Sequence, residues 1–200
     1  MYKIDFNNPI HIHFIGIGGI SMSGLAKILL SEGFTVSGSD AHSSALTDEL
    51  IGDGCIVSVP QSAGNITNDI DLVVYTTAIH PDNPEFKAAK EAGLPMLTRA
   101  ELLGQIMTIY KNAINIAGTH GKTTTTSMVS EILLAANMDP TISVGGILNS
   151  IGGNTRVGGN KYFVAEACEY TNSFLSFNPT MNIILNVKAV SYTHLTLPTT

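Results

Sequence analysis

The residues with the clearest chemistry lie at 114–126, INIAGTHGKTTTT, an apolar strand followed by a glycine-containing turn and a helix. Gly118 and Gly121 lack a Cβ, so successive backbone N–H groups can surround phosphate oxygens, and the helix predicted from Lys122 adds its positive end. Lys122 supplies a mobile positive charge for the outer phosphates, and the Thr123 hydroxyl can ligate the magnesium that accompanies a nucleoside triphosphate. The pattern predicts an ATP or GTP site, and the alternative is a glycine-rich turn that serves packing only.

The spacing of this loop differs from the general pattern G-x-x-x-x-G-K-[ST]. That pattern would need glycine at position 116, which is isoleucine, and the first glycine comes only at Gly118. The loop is therefore a shorter variant, G-x-x-G-K-T. The strand before it and the helix after it are the context that a phosphate-binding loop requires.

A second glycine turn, GIGGIS, follows the β-prone run IHIHFI at residues 10–15. Gly16, Gly18 and Ser21 approximate the dinucleotide-binding fingerprint G-x-G-x-x-G, with serine in the third place. A helix is predicted after the turn, and the next strand, FTVSGSD, ends in Asp40, about where an acidic residue contacts a ribose. The pattern predicts a nucleotide-type ligand, although such turns also occur for packing alone.

Strands and helices alternate through the first half of the chain. Helices are predicted near residues 44–51 and 84–92, and strands at 55–59, 71–76 and 95–97. This order indicates an α/β fold whose amino-terminal part is a Rossmann-like parallel sheet with right-handed crossovers.

Polar residues follow one of these strands at the sheet edge where open parallel sheets bind ligands. Thr76, Thr77 and His80 are candidate ligand contacts, and a polar turn with capping threonines is an equal alternative. Arg99 opens the next predicted helix, RAELLGQIMTIY, where it can bind a phosphate or pair with a carboxylate.

The strand-loop-helix pattern restarts at residue 113, which predicts a domain boundary near residues 107–112. A strand is predicted at 141–144, and then a glycine- and asparagine-rich loop at 145–159 that is functional or mobile. The strand in KYFVAEACEY carries Glu166 and Glu169 to its carboxyl end, where Glu166 can hold the magnesium of a triphosphate. The alternative is a solvated acidic loop, and MNIILNV, residues 181–187, predicts a further buried strand.

Composition excludes several classes of protein. The chain has 200 residues, of which 44% are hydrophobic and 13% charged, so it can bury a core and is not disordered. A net charge of -6 argues against a nucleic-acid-binding protein, which usually carries a basic face. A polar amino terminus and the lack of an 18-residue apolar run predict no signal peptide, no membrane insertion and a cytoplasmic protein. The sequence carries no signal for oligomeric state.

The cysteines and the first histidines show no metal-binding spacing. Cys55 and Cys168 are far apart and form no C-x-x-C motif, so two free thiols in a reducing compartment are expected. His11 and His13 alternate along the first strand and share one face. We interpret them as half-buried structural histidines without a chemical role.

Six segments together resemble the Mur ligases, in the same order along the chain. They are HFIGIGGISMSGLA at 13–26, GSD at 38–40, YTTAI at 75–79, RAELL at 99–103, AGTHGKTTTT at 117–126 and VAEACEYTNSFL at 164–175. The resemblance runs from about residue 10 to 187. It implies a truncated three-domain enzyme: residues 1–107 would form the Rossmann-like UDP-sugar-binding domain and residues 108–187 part of the central P-loop ATP-binding domain.

The resemblance also implies an activity, in which ATP phosphorylates a muramic acid carboxylate and an amine attacks the acyl phosphate. The residues are most similar to those of members that use UDP-N-acetylmuramate and L-alanine with ATP and Mg²⁺. The alternatives are members that attach a recycled peptide to the same UDP-sugar, and, outside the family, a non-catalytic or dehydrogenase-like dinucleotide-binding protein. The last alternative leaves GTHGKTTTT unexplained.

Site residues follow from the family motifs. Lys122 and Glu166 would be the catalytic residues, and Thr123 and Glu166 would ligate magnesium. The nucleotide contacts would be Gly118, Thr119, His120, Gly121, Lys122, Thr123 and Thr124. The UDP-sugar contacts would be Gly16, Gly18, Gly19, Ser21, Asp40, Thr76, Thr77 and Arg99.

The sequence departs from the family pattern at several positions. Ser21 stands where glycine is usual, and Cys168 and Tyr170 replace an aspartate and a serine. Ser191 occupies the place of a metal-binding histidine, a role that His194 is too late to take. Residues 188–200, ending in SYTHLTLPTT, resemble translated adapter sequence, so we expect a non-native tail and no ligase activity from the 200-residue chain itself.

Overall fold

The computed structural model describes residues 2–167 and 175–187. The predicted Cys168, Glu169, Tyr170, Ser191 and His194 features, and the expected non-native tail at 188–200, lie outside the described residues. None of the helices in the described part combines the length and the apolar character needed to cross a bilayer.

The first half forms a five-stranded parallel sheet in the order β3-β2-β1-β4-β5. Its strands are β1 (His11–Ile15), β2 (Thr35–Ser39), β3 (Ile56–Ser58), β4 (Leu72–Tyr75) and β5 (Met96–Thr98). Its helices are α1 (Ile20–Ser31), α2 (Ala45–Gly52), α3 (Pro84–Glu91) and α4 (Arg99–Met107). The chain leaves β1 toward β2 and returns to β4 on the other side, so a crevice opens at the carboxyl ends of β1 and β4. The predicted α/β class is confirmed.

Local sequence explains where these helices begin. Ser44 accepts the Thr47 N–H at the start of α2, and Asn83 caps α3 with proline at the first helical position. At α4, Thr98 and Glu101 form a reciprocal capping box. The side chain of Glu101 is therefore used to cap the helix. Arg99, the first residue of α4, follows this cap directly.

The second half forms a five-stranded sheet in the order β10-β6-β9-β7-β8. Its strands are β6 (Asn112–Ala117), β7 (Thr141–Leu148), β8 (Gly153–Arg156), β9 (Tyr162–Glu166) and β10 (Met181–Ile184), and its helix is α5 (Lys122–Ala135). All neighbouring strands are parallel except β8, which runs antiparallel to β7. This arrangement places the ends of β6 and β9 side by side.

The prediction of a loop at residues 145–159 is wrong for most of its length. Strand β7 continues to Leu148, a short 3-10 helix covers Asn149–Ile151, and β8 returns beside β7. Glycine and asparagine are depleted in strands, so the composition of this segment hides its pairing. We call β7, the 3-10 helix and β8 together, residues 141–156, the glycine hairpin.

The segment MNIILNV forms the predicted strand, but the prediction that this strand is buried is wrong. β10 lies at the edge of the described sheet, where Met181 and Ile184 are 52% and 66% exposed. A continuous apolar run is typical of a strand covered on both faces, but among the described residues only β6 pairs with it.

One hydrophobic cluster joins the two sheets. It contains Ile12 and Phe14 of β1, Leu102 of α4 and Phe163 of β9, each fully buried. Tyr110, between α4 and β6, stacks on Phe163 with ring centroids 5.0 Å apart. The two halves of the chain therefore share apolar packing as well as a covalent connection.

Candidate nucleotide-binding site

The phosphate-binding loop connects the end of β6 to the start of α5. Gly118 has φ +144° and Gly121, the residue before the helix, has φ +86°. Side chains are disfavoured in both conformations, and a Cβ on Gly118 would also lie 3.1 Å from Leu185. The two glycines that define the motif are thus required by the backbone.

Lys122 lies over its own loop. Its Nζ donates a hydrogen bond to the Gly118 carbonyl at 2.6 Å, from the first position of α5. The ammonium group and the helix amino terminus are consequently at the same end of the loop, where they create a positive field for an anion. Thr119 and Thr124 belong to the same loop and helix start.

Asn186 supports the loop from the neighbouring strand end. The backbone N–H of His120 donates to Asn186 Oδ1 at 3.1 Å, and Asn186 Nδ2 donates to the His120 carbonyl at 2.9 Å. This two-way pairing fixes the middle of the loop. Sequence reasoning assigned no role to Asn186, which lies two residues after the end of β10.

Glu166 reaches the same loop from the end of β9. Its Oε2 accepts a hydrogen bond from Thr123 Oγ1 at 3.2 Å, and its Oε1 accepts one from the Gly145 N–H at 2.8 Å. A Cβ on Gly145 would lie only 2.8 Å from that carboxylate, so glycine permits the close approach. The predicted proximity of Thr123 and Glu166 is present in the structure, and Gly145 is an additional member that the sequence did not reveal.

This set of oxygen atoms suits magnesium. Mg²⁺ prefers hard oxygen ligands and is usually held by one or two protein groups together with substrate phosphates. The Thr123 hydroxyl and the Glu166 carboxylate supply such oxygens beside the phosphate-binding loop. Within residues 2–167 and 175–187, no three His, Cys, Asp or Glu side chains form a metal-binding cluster.

The first glycine turn lies at the crevice of the first sheet. Gly16, with φ +85°, and Ile17 both donate their N–H groups to the Ser39 carbonyl, at 2.8 and 2.9 Å. Gly18 N–H donates to Asp40 Oδ2 at 2.9 Å, and Gly19 precedes the first residue of α1. Asp40 therefore shapes the turn directly, in addition to its predicted position near a ribose.

The other predicted UDP-sugar contacts surround this turn. Arg99 Nη1 donates to Ser21 Oγ at 3.0 Å, which brings together residues from two distant motifs. Thr76 Oγ1 accepts the Ala78 N–H in the turn after β4, where Thr77 is exposed. A Cβ on Gly16 would lie 3.6 Å from Ile79 of that turn, so the two loops are neighbours.

A buried carboxylate lies below the first turn. Glu85 is fully buried and accepts hydrogen bonds from Ser39 Oγ and Asn65 Nδ2, with His13 Nε2 at 3.7 Å. Burial raises the pKa of Glu85, but its polar contacts with His13, Ser39 and Asn65 outweigh burial and leave the pKa below the usual value. Sequence reasoning missed Glu85 because a glutamate in the first helical turn is ordinarily explained by the helix dipole.

Both early histidines have structural partners, as expected, but His13 is fully buried and not half-buried. His11 contacts Asp69 and Ser37, and the buried His13 contacts Ser37 through Nδ1 at 2.9 Å. His80, predicted as a possible ligand contact, pairs with Asp82 at the surface.

Comparison with known protein families gives two adjoining matches. The family model described as Mur ligase family, catalytic domain, matches residues 11–111, and the model described as Mur ligase middle domain matches residues 116–195. The first match ends at the residue before β6 and the second begins within β6, so the boundary coincides with the start of the second sheet.

Individual proteins show the same similarity. The chain is 95% identical over 188 residues to UDP-N-acetylmuramate--L-alanine ligase from Lachnospira eligens, which covers 94% of this chain and 41% of the relative. Among solved structures, UDP-N-acetylmuramate-alanine ligase from Thermotoga maritima matches with a TM-score of 0.80 and 37% identity, over 88% of this chain and 41% of that one. A murein peptide ligase from Psychrobacter arcticus matches with a TM-score of 0.79 and 28% identity, over 88% of this chain and 42% of that one. The chain thus spans less than half the length of these proteins.

Proposed function

The chain belongs to the Mur ligase family, and from that premise we propose that it carries the UDP-sugar and ATP sites of a ligase that joins L-alanine to UDP-N-acetylmuramate. The observation that carries the proposal is the meeting of Lys122, Thr123 and Glu166 at one phosphate-binding loop. The 95% identity to a relative of that name supports the choice of substrates.

The proposed reaction transfers the γ-phosphoryl group of ATP to the carboxylate of the muramic acid and releases ADP. The amine of L-alanine then attacks the acyl phosphate, and an amide bond and inorganic phosphate form. Phosphoryl transfer depends mainly on positioning and on neutralising charge. None of the described residues is needed as a nucleophile.

The phosphate-binding loop between β6 and α5, the proposed ATP site, has the groups that this chemistry requires. Lys122 would exchange its bond to the Gly118 carbonyl for the phosphates, with the backbone from Gly118 to Thr124 around them. Thr123 and Glu166 would hold Mg²⁺, which when bound supplies positive charge against the transferring phosphoryl group.

The first site would hold the UDP-sugar. Gly16, Gly18 and Gly19 would approach its diphosphate, because the turn leads directly into the amino terminus of α1. Ser21, Arg99, Asp40, Thr76 and Thr77 surround that turn and would contact the rest of the ligand. We also propose that residues 1–107 form the unit that binds the UDP-sugar and residues 108–187 the unit that binds ATP. We further propose that the protein works in the cytoplasm, where thiols stay reduced.

Two alternatives are less well supported. The peptide ligase from Psychrobacter arcticus has nearly the same TM-score as the alanine ligase from Thermotoga maritima, so backbone shape does not separate the two activities. Sequence identity favours the alanine ligase activity, since the chain is 37% identical to the alanine ligase and 28% identical to the peptide ligase. A dinucleotide-binding protein would not need the second loop.

Calorimetric titration of the 200-residue chain with UDP-N-acetylmuramate, MgATP and NADH tests the proposal. We expect binding of the first two ligands and none of NADH. Lys122→Ala should weaken ATP binding at least about tenfold, since a charge-assisted contact is lost, and leave UDP-sugar binding within about twofold because the sites are separate. Lys3→Ala, at an exposed lysine, is the control. Preferential binding of NADH, or equal loss of both ligands in Lys122→Ala, would contradict the assignment.

A further inference from the structure

The glycine hairpin, residues 141–156, touches the phosphate-binding loop at one end. Gly145 donates its N–H to Glu166 Oε1 at 2.8 Å. A Cβ on Gly146 would lie 3.2 Å from the Thr123 methyl group. This part of the hairpin therefore lies against the two side chains assigned to magnesium.

The other end of the hairpin touches the first half of the chain. Asn154 Nδ2 donates a hydrogen bond to the Ile20 carbonyl at 3.0 Å. A Cβ on Gly24 of α1 would overlap the hydroxyl of Thr155, so the helix backbone and β8 are in close contact. The cleft between α1, α2 and residues 151–155 holds ≈ 130 Å³, well below the ~300 Å³ at which ordinary ligand pockets begin. This junction is thus a packing contact between the two halves and not a further ligand site.

The partner of Asn154 has a special position. Ile20 is the first residue of α1 and follows Gly19 of the first glycine turn. Ser21, next in the helix, accepts the hydrogen bond from Arg99. A displacement of Ile20 would therefore move both the helix amino terminus and the Arg99 contact that the UDP-sugar is expected to meet.

We propose that the glycine hairpin couples the two ligand sites, with Asn154 as the positioning residue that transmits the coupling; this inference rests on the proposed function. Glu166 binds Gly145 through one carboxylate oxygen and Thr123 through the other. If ATP and magnesium were bound at the loop, the Glu166 carboxylate would be drawn toward the ion. The hydrogen bond from the Gly145 N–H to Glu166 would then weaken, and Gly145 would shift. The paired strands β7 and β8 would carry this shift to Asn154 and, through its hydrogen bond, to Ile20.

Coupling of this kind is a reciprocal change in affinity. For the 200-residue chain, calorimetry would give the Kd of UDP-N-acetylmuramate with and without a saturating, non-hydrolysable magnesium-ATP analogue. We expect the two values to differ by about fivefold or more, within the range usual for coupled sites. The Kd of the analogue should change by the same factor when the UDP-sugar is present.

In Asn154→Ala, the ratio of the Kd values with and without the second ligand should fall to between one and about two. Each ligand alone should bind within about threefold of its original affinity, because the removed hydrogen bond contacts neither ligand. Asn160→Ala, at an exposed asparagine after the hairpin, should leave the factor unchanged. Gly24→Ala, which forces α1 away from Thr155, provides a second variant acting from the opposite side of the contact. Melting curves of each variant would confirm that it is folded.

Equal affinities with and without the second ligand in the original chain would overturn the coupling alone. The same holds for an unchanged factor in both Asn154→Ala and Gly24→Ala. Failure of UDP-N-acetylmuramate to bind the original chain would instead overturn the proposed function, and the coupling with it.

Discussion

Glu166 connects its own strand to two other segments of the chain, and this makes it the most informative single residue. It lies at the end of β9, contacts Thr123 at the start of α5, and accepts the Gly145 N–H from the glycine hairpin. Its carboxylate could be anticipated from the sequence because the motif and the end of a strand coincide there. Gly145 could not be, since contact across a sheet depends on strand order, which the sequence does not state.

Replacing Glu166 should change the requirement for magnesium. Glu166→Gln removes the carboxylate charge but keeps the size of the side chain. The Mg²⁺ concentration needed for half-maximal ATP binding should therefore rise at least about tenfold, a typical loss of metal affinity when a metal site is disturbed. Titration of ATP binding at a series of magnesium concentrations measures this. The matched control is Glu91→Gln, at an exposed position; an unchanged magnesium dependence in Glu166→Gln would assign Glu166 to a structural role.

Glu85 should contribute to stability in a pH-dependent way. Its pKa in the folded chain lies below the usual 4.5, because polar contacts outweigh burial. A depressed pKa means that the stabilisation is complete above the unfolded pKa and is lost as pH falls through the folded value. At pH 7, Glu85→Gln should lower the free energy of unfolding by about 1–3 kcal/mol, and this difference should shrink below about pH 4.5.

Urea unfolding of both proteins at pH 7, 5 and 4 measures that difference. Glu91→Gln again serves as control, with no change expected at any of the three values. A difference for Glu85→Gln that stays constant with pH would show that its ionisation does not contribute.

At the scale of elements, the sequence predicted the five α-helices of the described part, the strands β1 to β6, β9 and β10, and the first half of β7. These elements have apolar periodicity together with capping residues such as Ser44, Asn83 and Thr98. It did not predict β8, because in Gly153–Arg156 the pairing partner and not the local composition determines the strand. The contact of Asn154 with Ile20 joins residues far apart in the chain and was equally hidden.

Helix α4 provides a direct test of packing between elements. Gly104 faces residues 176–178, where Asn178 Nδ2 donates to its carbonyl and a Cβ would overlap the Ser176 carbonyl oxygen. Glycine to alanine ordinarily stabilises a helix by up to about 1 kcal/mol. In Gly104→Ala the steric overlap should reverse the sign and lower stability by about 1–3 kcal/mol.

Thermal or urea unfolding would report this change. Gly52→Ala, at the end of α2, is the comparison, because a Cβ there meets nothing within 4 Å. If Gly104→Ala were as stable as Gly52→Ala, the chain segment after β9 would not pack on α4 as described.

At the scale of the whole molecule, the two halves should unfold together. The shared hydrophobic cluster contains residues of β1, α1, α4 and β9, and Tyr110 stacks on Phe163 within it. Separating the halves would expose this apolar surface, so an intermediate with one half folded is disfavoured. Hydrogen exchange should show the slowest amides of β1 and β6 opening with the same free energy, within about 1 kcal/mol of each other.

A clear difference in opening free energy between β1 and β6 would contradict this expectation and would indicate two independent folding units. Phe163→Leu provides a further comparison. It removes the ring that stacks on Tyr110 but keeps an apolar side chain, so both halves should lose stability to the same extent.

The first glycine turn is held together by hydrogen bonds within the chain. The N–H groups of Gly16 and Ile17 are held by Ser39, that of Gly18 by Asp40, and that of Gly19 by the Gly16 carbonyl at 3.3 Å. A small molecule that binds here would not have to order the backbone, and the entropy cost of association is correspondingly lower. Because these N–H groups already have partners within the chain, an inhibitor with a diphosphate group would have to take its hydrogen bonds from other groups around the turn, such as Arg99, and keep its charge away from the Asp40 carboxylate.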